Sequence, residues 1–194
     1  YMKSDFLLEM KSRGYLNQCT DLDSLDEICL NNSISCYIGF DCTAPSLHVG
    51  SLMQIMVFRK LQKFGHRPII LLGGGTTLIG DPSGKDSTRQ IMTLSQISEN
   101  INKIEKTFNQ FINLKKRGSV INNYEWLADL NYINFLRDIG SKLTINKMLT
   151  FESVKSRLDR EQALTFLEFN YMLLQSYDFY HLKKNYDCLL QMGG

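Results

Sequence analysis

Residues 35–72 read SCYIGF, DCTAPS, LHVGSLMQIMVFRKLQKF, GHRP and IILL in succession, and that order decides the fold. Ser35-Cys36-Tyr37-Ile38-Gly39-Phe40 has the apolar and aromatic content of a strand. Asp41-Cys42-Thr43-Ala44-Pro45-Ser46 is a loop. From about Leu47 to Phe64 the spacing of Leu52, Ile55, Met56, Leu61 and Phe64 is helical. Gly65 closes that helix. Pro68 then introduces Ile69-Ile70-Leu71-Leu72, an unbroken apolar run of the kind buried on both faces of a parallel sheet. Strand, crossover helix and buried strand make a β-α-β unit.

The pattern extends in both directions. Upstream, Asp5 to Arg13 carries Phe6, Leu7 and Met10 on one helical face and is closed by Gly14, and Asp21 to Leu30 forms a second amphipathic helix through Leu22, Leu25, Ile28 and Cys29. Downstream, a glycine-rich segment runs from Gly73 to Lys85. A helix follows from Ser95 to about Asn113, with Ile97, Ile101, Ile104, Phe108 and Phe111 in register. Lys115-Lys116-Arg117-Gly118 is a solvated turn, Val120 to Asn123 a short strand, Leu127 to Lys184 a series of shorter helical patterns, and Asp187 to Met192 a last strand. The expected class is α/β, a parallel sheet with helices on its faces. Ligands of such sheets bind beyond the C-terminal strand ends, here the loops after Phe40, Leu72, Asn123 and Met192.

Composition narrows the field. With 194 residues the chain suits one domain, and 43% hydrophobic content excludes a disordered tail, a collagen-like fibre and a disulfide knot. Lys plus Arg number 22 against 20 Asp plus Glu, a net charge of +2. That balance does not fit a dedicated electrostatic nucleic-acid binder. No apolar window of about 18 residues suggests a membrane span, and the start lacks a signal-peptide core. Cys19, Cys29, Cys36, Cys42 and Cys188 form no C-x-x-C pair. They read as reduced thiols of a cytoplasmic protein, with no metal site. The ends, Tyr1 and Gly193-Gly194, read as those of a fragment.

Three features carry candidate chemistry. The glycine-rich segment fails as a P-loop, because position 79 is Ile and Asp86 follows Lys85, and it fails as a dinucleotide fingerprint, because position 78 is Leu. Its glycines make a tight turn after a strand or let backbone approach a ligand, with Asp81 offering a carboxylate to an ammonium group. Pro45 to Ser51 opens a helix whose N-terminus attracts phosphate. His48 there is either an incidental residue or a donor to phosphate oxygens, and Gly50 lets a ring lie against the first turn. On a helix Tyr171, Leu174, Gln175 and Asp178 share a face, so three polar groups converge, either as a structural network or around a polar ligand. Trp126 reads as core. His66 reads as a surface loop residue and His181 as a solvated one.

Together these pieces resemble one family. Tyr37-x-Gly39-Phe40-Asp41-x-Thr43-x-x-Ser46-Leu47-His48-Val49-Gly50 is similar to the first signature of bacterial-type tyrosyl-tRNA synthetases, class I aminoacyl-tRNA synthetases with a Rossmann-like catalytic domain. The resemblance continues through Gly65-His66-x-Pro68, Gly80 to Lys85, Asn122-Asn123-Tyr124-x-Trp126 and Phe135 to Gly140. It goes on in Glu168-Phe169-x-Tyr171-x-Leu173-Leu174-Gln175-x-Tyr177-Asp178-Phe179 and in Gln191-x-Gly193-Gly194.

The resemblance implies activation of L-tyrosine by ATP, entering with Mg2+ and without a prosthetic group, and transfer of the tyrosyl group to the terminal adenosine of its tRNA. It assigns Thr43 and His48, with Ser51 at the place of a usual second histidine, to the reacting polyphosphate. Gly39, Asp41, His48, Gly50 and Gly194 fall to ATP and the adenylate. Tyr37 and Asp178 fall to the substrate's phenol hydroxyl, Asp81, Tyr171 and Gln175 to its ammonium group, and Asn123 and Gln191 to the pocket lining. It implies a homodimer, with a helical connective and dimerisation segment at about 127–170 and Phe166 on the interface. It implies that residues 1–194 are a catalytic-domain fragment, without the Lys-Met-Ser-Lys-Ser-type loop and the anticodon- and RNA-binding domains. Such a chain is expected to be impaired in activation and unable to charge tRNA normally. The alternatives are the related tryptophanyl enzyme or another nucleotidyl transferase of this signature, and a non-catalytic RNA-binding or scaffolding relative.

Overall fold

Strand β1 spans Ser35–Phe40 and β2 spans Arg67–Leu72. They pair in parallel, from Ser35 opposite Arg67 to Phe40 opposite Leu72, and α3 (Val49–Lys63) is the crossover between them. The strand β3 (Ser119–Asn122) lies beside β2, and β4 (Cys188–Gln191) lies on the other side of β1. All pairings are parallel, in the order β3-β2-β1-β4. The computed structural model describes residues 2–80 and 92–193. Asp81 and Gly194, singled out above, lie outside the described residues, as does the stretch Pro82 to Lys85.

Side chains alternate across the sheet. Cys36, Ile38, Phe40, Ile70 and Leu72 face one core, shared with α1 (Asp5–Ser12), α2 (Leu22–Asn31), α3 and α5 (Leu94–Phe111). Tyr37, Ile69, Leu71 and Ile121 face the other, shared with α6 (Tyr124–Leu127) and α10 (Phe166–Tyr186). Helices therefore cover both faces, as a parallel sheet requires. In α3 the buried stripe is Ser51, Ile55, Phe58 and Leu61. It is rotated from the expected one, leaving Leu52 40% exposed.

The glycine-rich segment corrects the expectation of a tight turn. Gly74–Ile79 is a short helix, α4. Its first amides find an acceptor in Asn123 Oδ1, which takes Gly75 N at 2.8 Å and Thr76 N at 3.4 Å. The glycines permit close approach, because a Cβ on Gly75 would stand 3.0 Å from Leu127 Cδ1 and one on Gly74 would collide with Asn122 Oδ1.

Residues 127–170 hold α7 (Tyr132–Asp138), α8 (Ile145–Met148) and α9 (Glu152–Asp159). Beyond them α10 is one helix of 21 residues rather than a series of shorter ones. A capping box of Thr165 and Glu168 opens it. Asp187, left-handed at φ 47, ends it.

His66 is buried, not a loop-surface residue. Its Nδ1 accepts Ile34 N at 3.4 Å and its ring meets Phe6 edge-on at 5.2 Å. Burial pushes its pKa down.

The close approach at α4 makes a prediction. Asn122 Oδ1 already accepts Tyr124 N at 3.0 Å, so it cannot turn aside without losing that bond. Gly74→Ala should cost about 1–3 kcal/mol, the usual range for overpacking. At Gly39 a Cβ would meet nothing within 4 Å, so Gly39→Ala should stay within about 0.5 kcal/mol of the parent. Urea unfolding of the two variants checks both values.

Candidate active site

The C-terminal ends of β1, β2 and β3 open into three linked groups of side chains. The first centres on Asp178 of α10, which is 2% exposed. Its Oδ1 accepts Trp126 Nε1–H at 2.9 Å and its Oδ2 accepts Asn123 Nδ2–H at 2.9 Å. Both donors follow β3, so the network crosses from α10 to another element rather than running along one helix face. Each carboxylate oxygen retains acceptor capacity. Burial pushes the Asp178 carboxyl up to about 6, and the two hydrogen bonds oppose the rise. Trp126 is buried, as expected.

Tyr37 reaches the same place from β1. It is 3% exposed and its ring lies 5.7 Å from that of Phe179. Burial, then the charge of Asp178, raises its pKa well above the usual tyrosine value. Its hydroxyl thus remains a proton donor within electrostatic reach of a carboxylate acceptor. A donor and an acceptor presented together suit a ligand hydroxyl, which needs both.

Further along α10, Tyr171 is buried and Gln175 is exposed. The shared face expected from their spacing thus opens to solvent between two buried ends. Gln191, in register with Tyr37 on β4, is exposed, and its Nε2 donates to Met192 O at 2.9 Å. Gly39 is the exposed position of β1, with open space where a side chain would stand.

The third group is the loop after β1 and the start of α3. His48 is the N-cap residue, and its Nδ1 accepts Gly50 N–H at 3.0 Å. An accepting Nδ1 leaves the proton of the neutral ring on Nε2, as an outward donor. The ring lies so close over Gly50 that a Cβ there would stand 2.8 Å from His48 Cε1. Thr43 is exposed and Asp41 half-buried, whereas Ser51 is 7% exposed, inward with Ile55 and Phe58.

Sequence reasoning missed what anchors this loop. Cys42 N donates to Thr77 Oγ1 at 3.0 Å, and Asn100 Nδ2 donates to Cys42 O at 2.8 Å. The visible signal was Asn100 on the apolar stripe of α5, between Ile97 and Ile104. His181 was also misjudged. It is half-buried, stacked on Trp126 at 4.2 Å and 13°.

Comparison with known proteins decides the family. The sequence model for tRNA synthetases class I (W and Y) matches residues 30–194. The chain belongs to that family. It is 58% identical over 196 aligned residues to the tyrosine–tRNA ligase of Wolbachia pipientis subsp. Culex pipiens (strain wPip), covering 99% of this chain and 47% of that protein. It is 59% identical to that of Ehrlichia ruminantium (strain Welgevonden), covering 100% and 47%. The chain thus spans about half the length of the curated relatives it matches. Among solved structures, a C-terminally truncated mitochondrial tyrosyl-tRNA synthetase of Aspergillus nidulans superposes with a TM-score of 0.87 at 29% identity, over 99% of this chain and 57% of the other. The tyrosyl-tRNA synthetase of Archaeoglobus fulgidus, complexed with L-tyrosine, shares the fold at TM-score 0.67 and 18% identity, over 89% and 49%. The Rossmann-like α/β class expected from the sequence is the observed one.

The raised carboxyl of Asp178 has a signed consequence. Between about pH 4 and about 6 the folded protein holds a proton that the unfolded chain has released. Stability therefore falls as pH rises through that window and levels above it. At about 1.4 kcal/mol per unit, the loss is on the order of 3 kcal/mol. Asp178→Asn lacks this titration, so guanidinium unfolding from pH 4 to 7 should show the variant gaining on the parent up to about pH 6. A constant difference would mean an ordinary carboxyl.

Proposed function

We propose that this chain carries the tyrosine-activating site of a tyrosine–tRNA ligase. The observation that carries the reading is the pair of buried groups Tyr37 and Asp178, a proton donor and a carboxylate near enough at the sheet end for the charge of Asp178 to act on Tyr37. The high identity to curated tyrosine–tRNA ligases supports it. In this reading the substrate's phenol donates to Asp178 and accepts from Tyr37. Phenylalanine would leave the Tyr37 hydroxyl and the remaining acceptor position of Asp178 without a ligand partner, at about 1–3 kcal/mol for each. Tyr171, Gln175 and Asp81 are assigned to the substrate's ammonium group, and Asn123 and Gln191 to the pocket lining. Asn123 acts by holding Asp178.

The carboxylate of tyrosine attacks the α-phosphorus of ATP, forming tyrosyl-adenylate and releasing pyrophosphate. Catalysis is positioning plus donors aimed at the charge that grows on the phosphoryl oxygens. His48 Nε2–H and Thr43 are the assigned donors, joined by backbone amides at the start of α3. Gly39, Asp41, Gly50 and Gly194 are assigned to the adenylate. The open space beside Gly39 supports a flat ligand against β1. Ser51, facing inward, is assigned to ATP through the first turn of α3 that it underlies. Mg2+ would enter with ATP as part of that substrate. Transfer to the terminal adenosine of tRNA is the second step, and contacts to the body of the tRNA are assigned to protein beyond these residues.

We further infer a homodimer through residues 127–170. Tyr132, Ile133 and Ile145 are about 60% exposed and Phe166 is 72% exposed, an apolar surface that suits a partner. Among the described residues no helix is long and apolar enough to cross a membrane. Five free thiols, four of them buried, suit the reducing cytoplasm where translation runs.

ATP–pyrophosphate exchange tests the reading, with all twenty amino acids, on this chain and on the full-length gene product. Exchange with tyrosine alone is expected of the full-length protein. Tryptophan instead would change the substrate, and no exchange from a folded protein would favour the scaffold alternative. His48→Asn keeps a side-chain acceptor at the helix start but loses the outward donor, so it should fold normally and exchange about 10²–10³-fold more slowly. Sedimentation of Phe166→Asp against the parent checks the dimer, with a shift toward monomer expected.

A further inference from the structure

Asp178 depends on Trp126, and Trp126 has a second neighbour that the proposed chemistry does not use. The His181 ring stacks on the indole with centroids 4.2 Å apart and planes at 13°. His181 stands three residues after Asp178 on α10, so one helical turn carries both the carboxylate and the ring that covers the carboxylate's donor. The indole is thus held at its nitrogen by Asp178 Oδ1 at 2.9 Å and across its face by His181. Beyond the stack lies an aromatic cluster. Tyr177 and Tyr186 are 6.2 and 6.4 Å from the imidazole centroid, and Phe135 of α7 meets Tyr177 edge-on at 5.6 Å.

We propose, resting on the tyrosine-site reading above, that His181 is a positioning residue: by stacking on Trp126 it keeps the indole N–H aimed at Asp178 and so sharpens selection for a hydroxyl-bearing substrate. The role belongs to the flat ring rather than to its charge. Burial, then the positive charge of Lys184, pushes the imidazole pKa down, which favours the neutral ring. The ionisable groups around it are Tyr177, Lys184 and Tyr186 on its own helix, and Asp138 of α7 lies beside Tyr177. Those facing Asp178 are Tyr37 of β1 together with the neutral donors Asn123 and Trp126.

The test uses the fact that Trp126 is the only tryptophan. Its emission is followed against pH in His181→Phe, which keeps a stacking ring, and in His181→Ala, which does not. Neither variant has an imidazole on the indole, so the transition reports Asp178, and adding Asp178→Asn to each should abolish it. Loss of a hydrogen bond to a carboxylate raises its pKa, so the midpoint in His181→Ala is expected about one unit above that in His181→Phe. Equal midpoints overturn the proposal. Calorimetric binding of tyrosine and phenylalanine completes it. His181→Ala should lower the ratio of the two affinities about tenfold, and His181→Phe should restore it. An unchanged ratio with a shifted midpoint overturns the role in selection. Should the parent chain bind no tyrosine, the functional reading fails for this chain, while the two midpoints still decide whether His181 positions Asp178.

Discussion

The side chain of Asn123 is the constraint on which the site depends. It is 1% exposed, and its amide oxygen accepts Gly75 N and Thr76 N. Its amide nitrogen donates to Asp178 Oδ2 and to Thr76 Oγ1 at 3.1 Å. All four hydrogen-bonding positions of the amide are therefore filled. Backbone N–H groups can only donate, so they fix which end of the amide points at α4, and the other end must then face Asp178. Its own backbone N–H donates to Leu72 O at 3.0 Å, tying it to the end of β2. One buried residue thus sets the start of α4, the exit from the sheet and the orientation of a carboxylate on α10. Such a network is rigid only when every member is satisfied.

The signature loop is preorganised by the same neighbourhood. Thr77 of α4 and Asn100 of α5 hold the two backbone groups of Cys42, and Cys42 itself is fully buried. His48 and Thr43 therefore sit on a strap clamped to two helices. In the proposed reaction, a loop held this way would need little reorganisation as charge develops. The position of α4 then matters to both halves of the site, because the helix that Asn123 caps is also the helix that anchors the loop.

Much of this was legible in the chain. The bounds of β1 were readable residue for residue, because Ser35–Phe40 is an apolar run closed by Asp41 and Pro45. The parallel order followed from the crossover pattern. What escaped depends on contacts distant in sequence. Nothing local in Gly73-Gly74-Gly75 announces a helix, because its cap arrives from Asn123, 48 residues away. His66 looks like a loop residue until Ile34 and Phe6 close over it. Ser51 and Leu52 differ by one helical step, and only the packing of α3 decides which of them turns inward. The partners of Asp178 were misread for the same reason, since a face shared along one helix says nothing of what another element brings to it.

The placement of β4 sets a timetable. It follows β1 by about 150 residues yet pairs with it, and the Sγ of Cys188 lies 3.5 Å from the carbonyl of Ser35 across 153 residues. Synthesis at about 5–20 residues per second leaves roughly 8–30 s between the emergence of these two strands from the ribosome. Throughout that interval β1 presents an unpaired edge, the kind of surface on which nascent chains associate wrongly. The pairing of Tyr37 with Gln191 therefore waits on β4, and a nascent chain stalled before residue 188 would carry the signature loop and the glycine helix beside an open sheet edge.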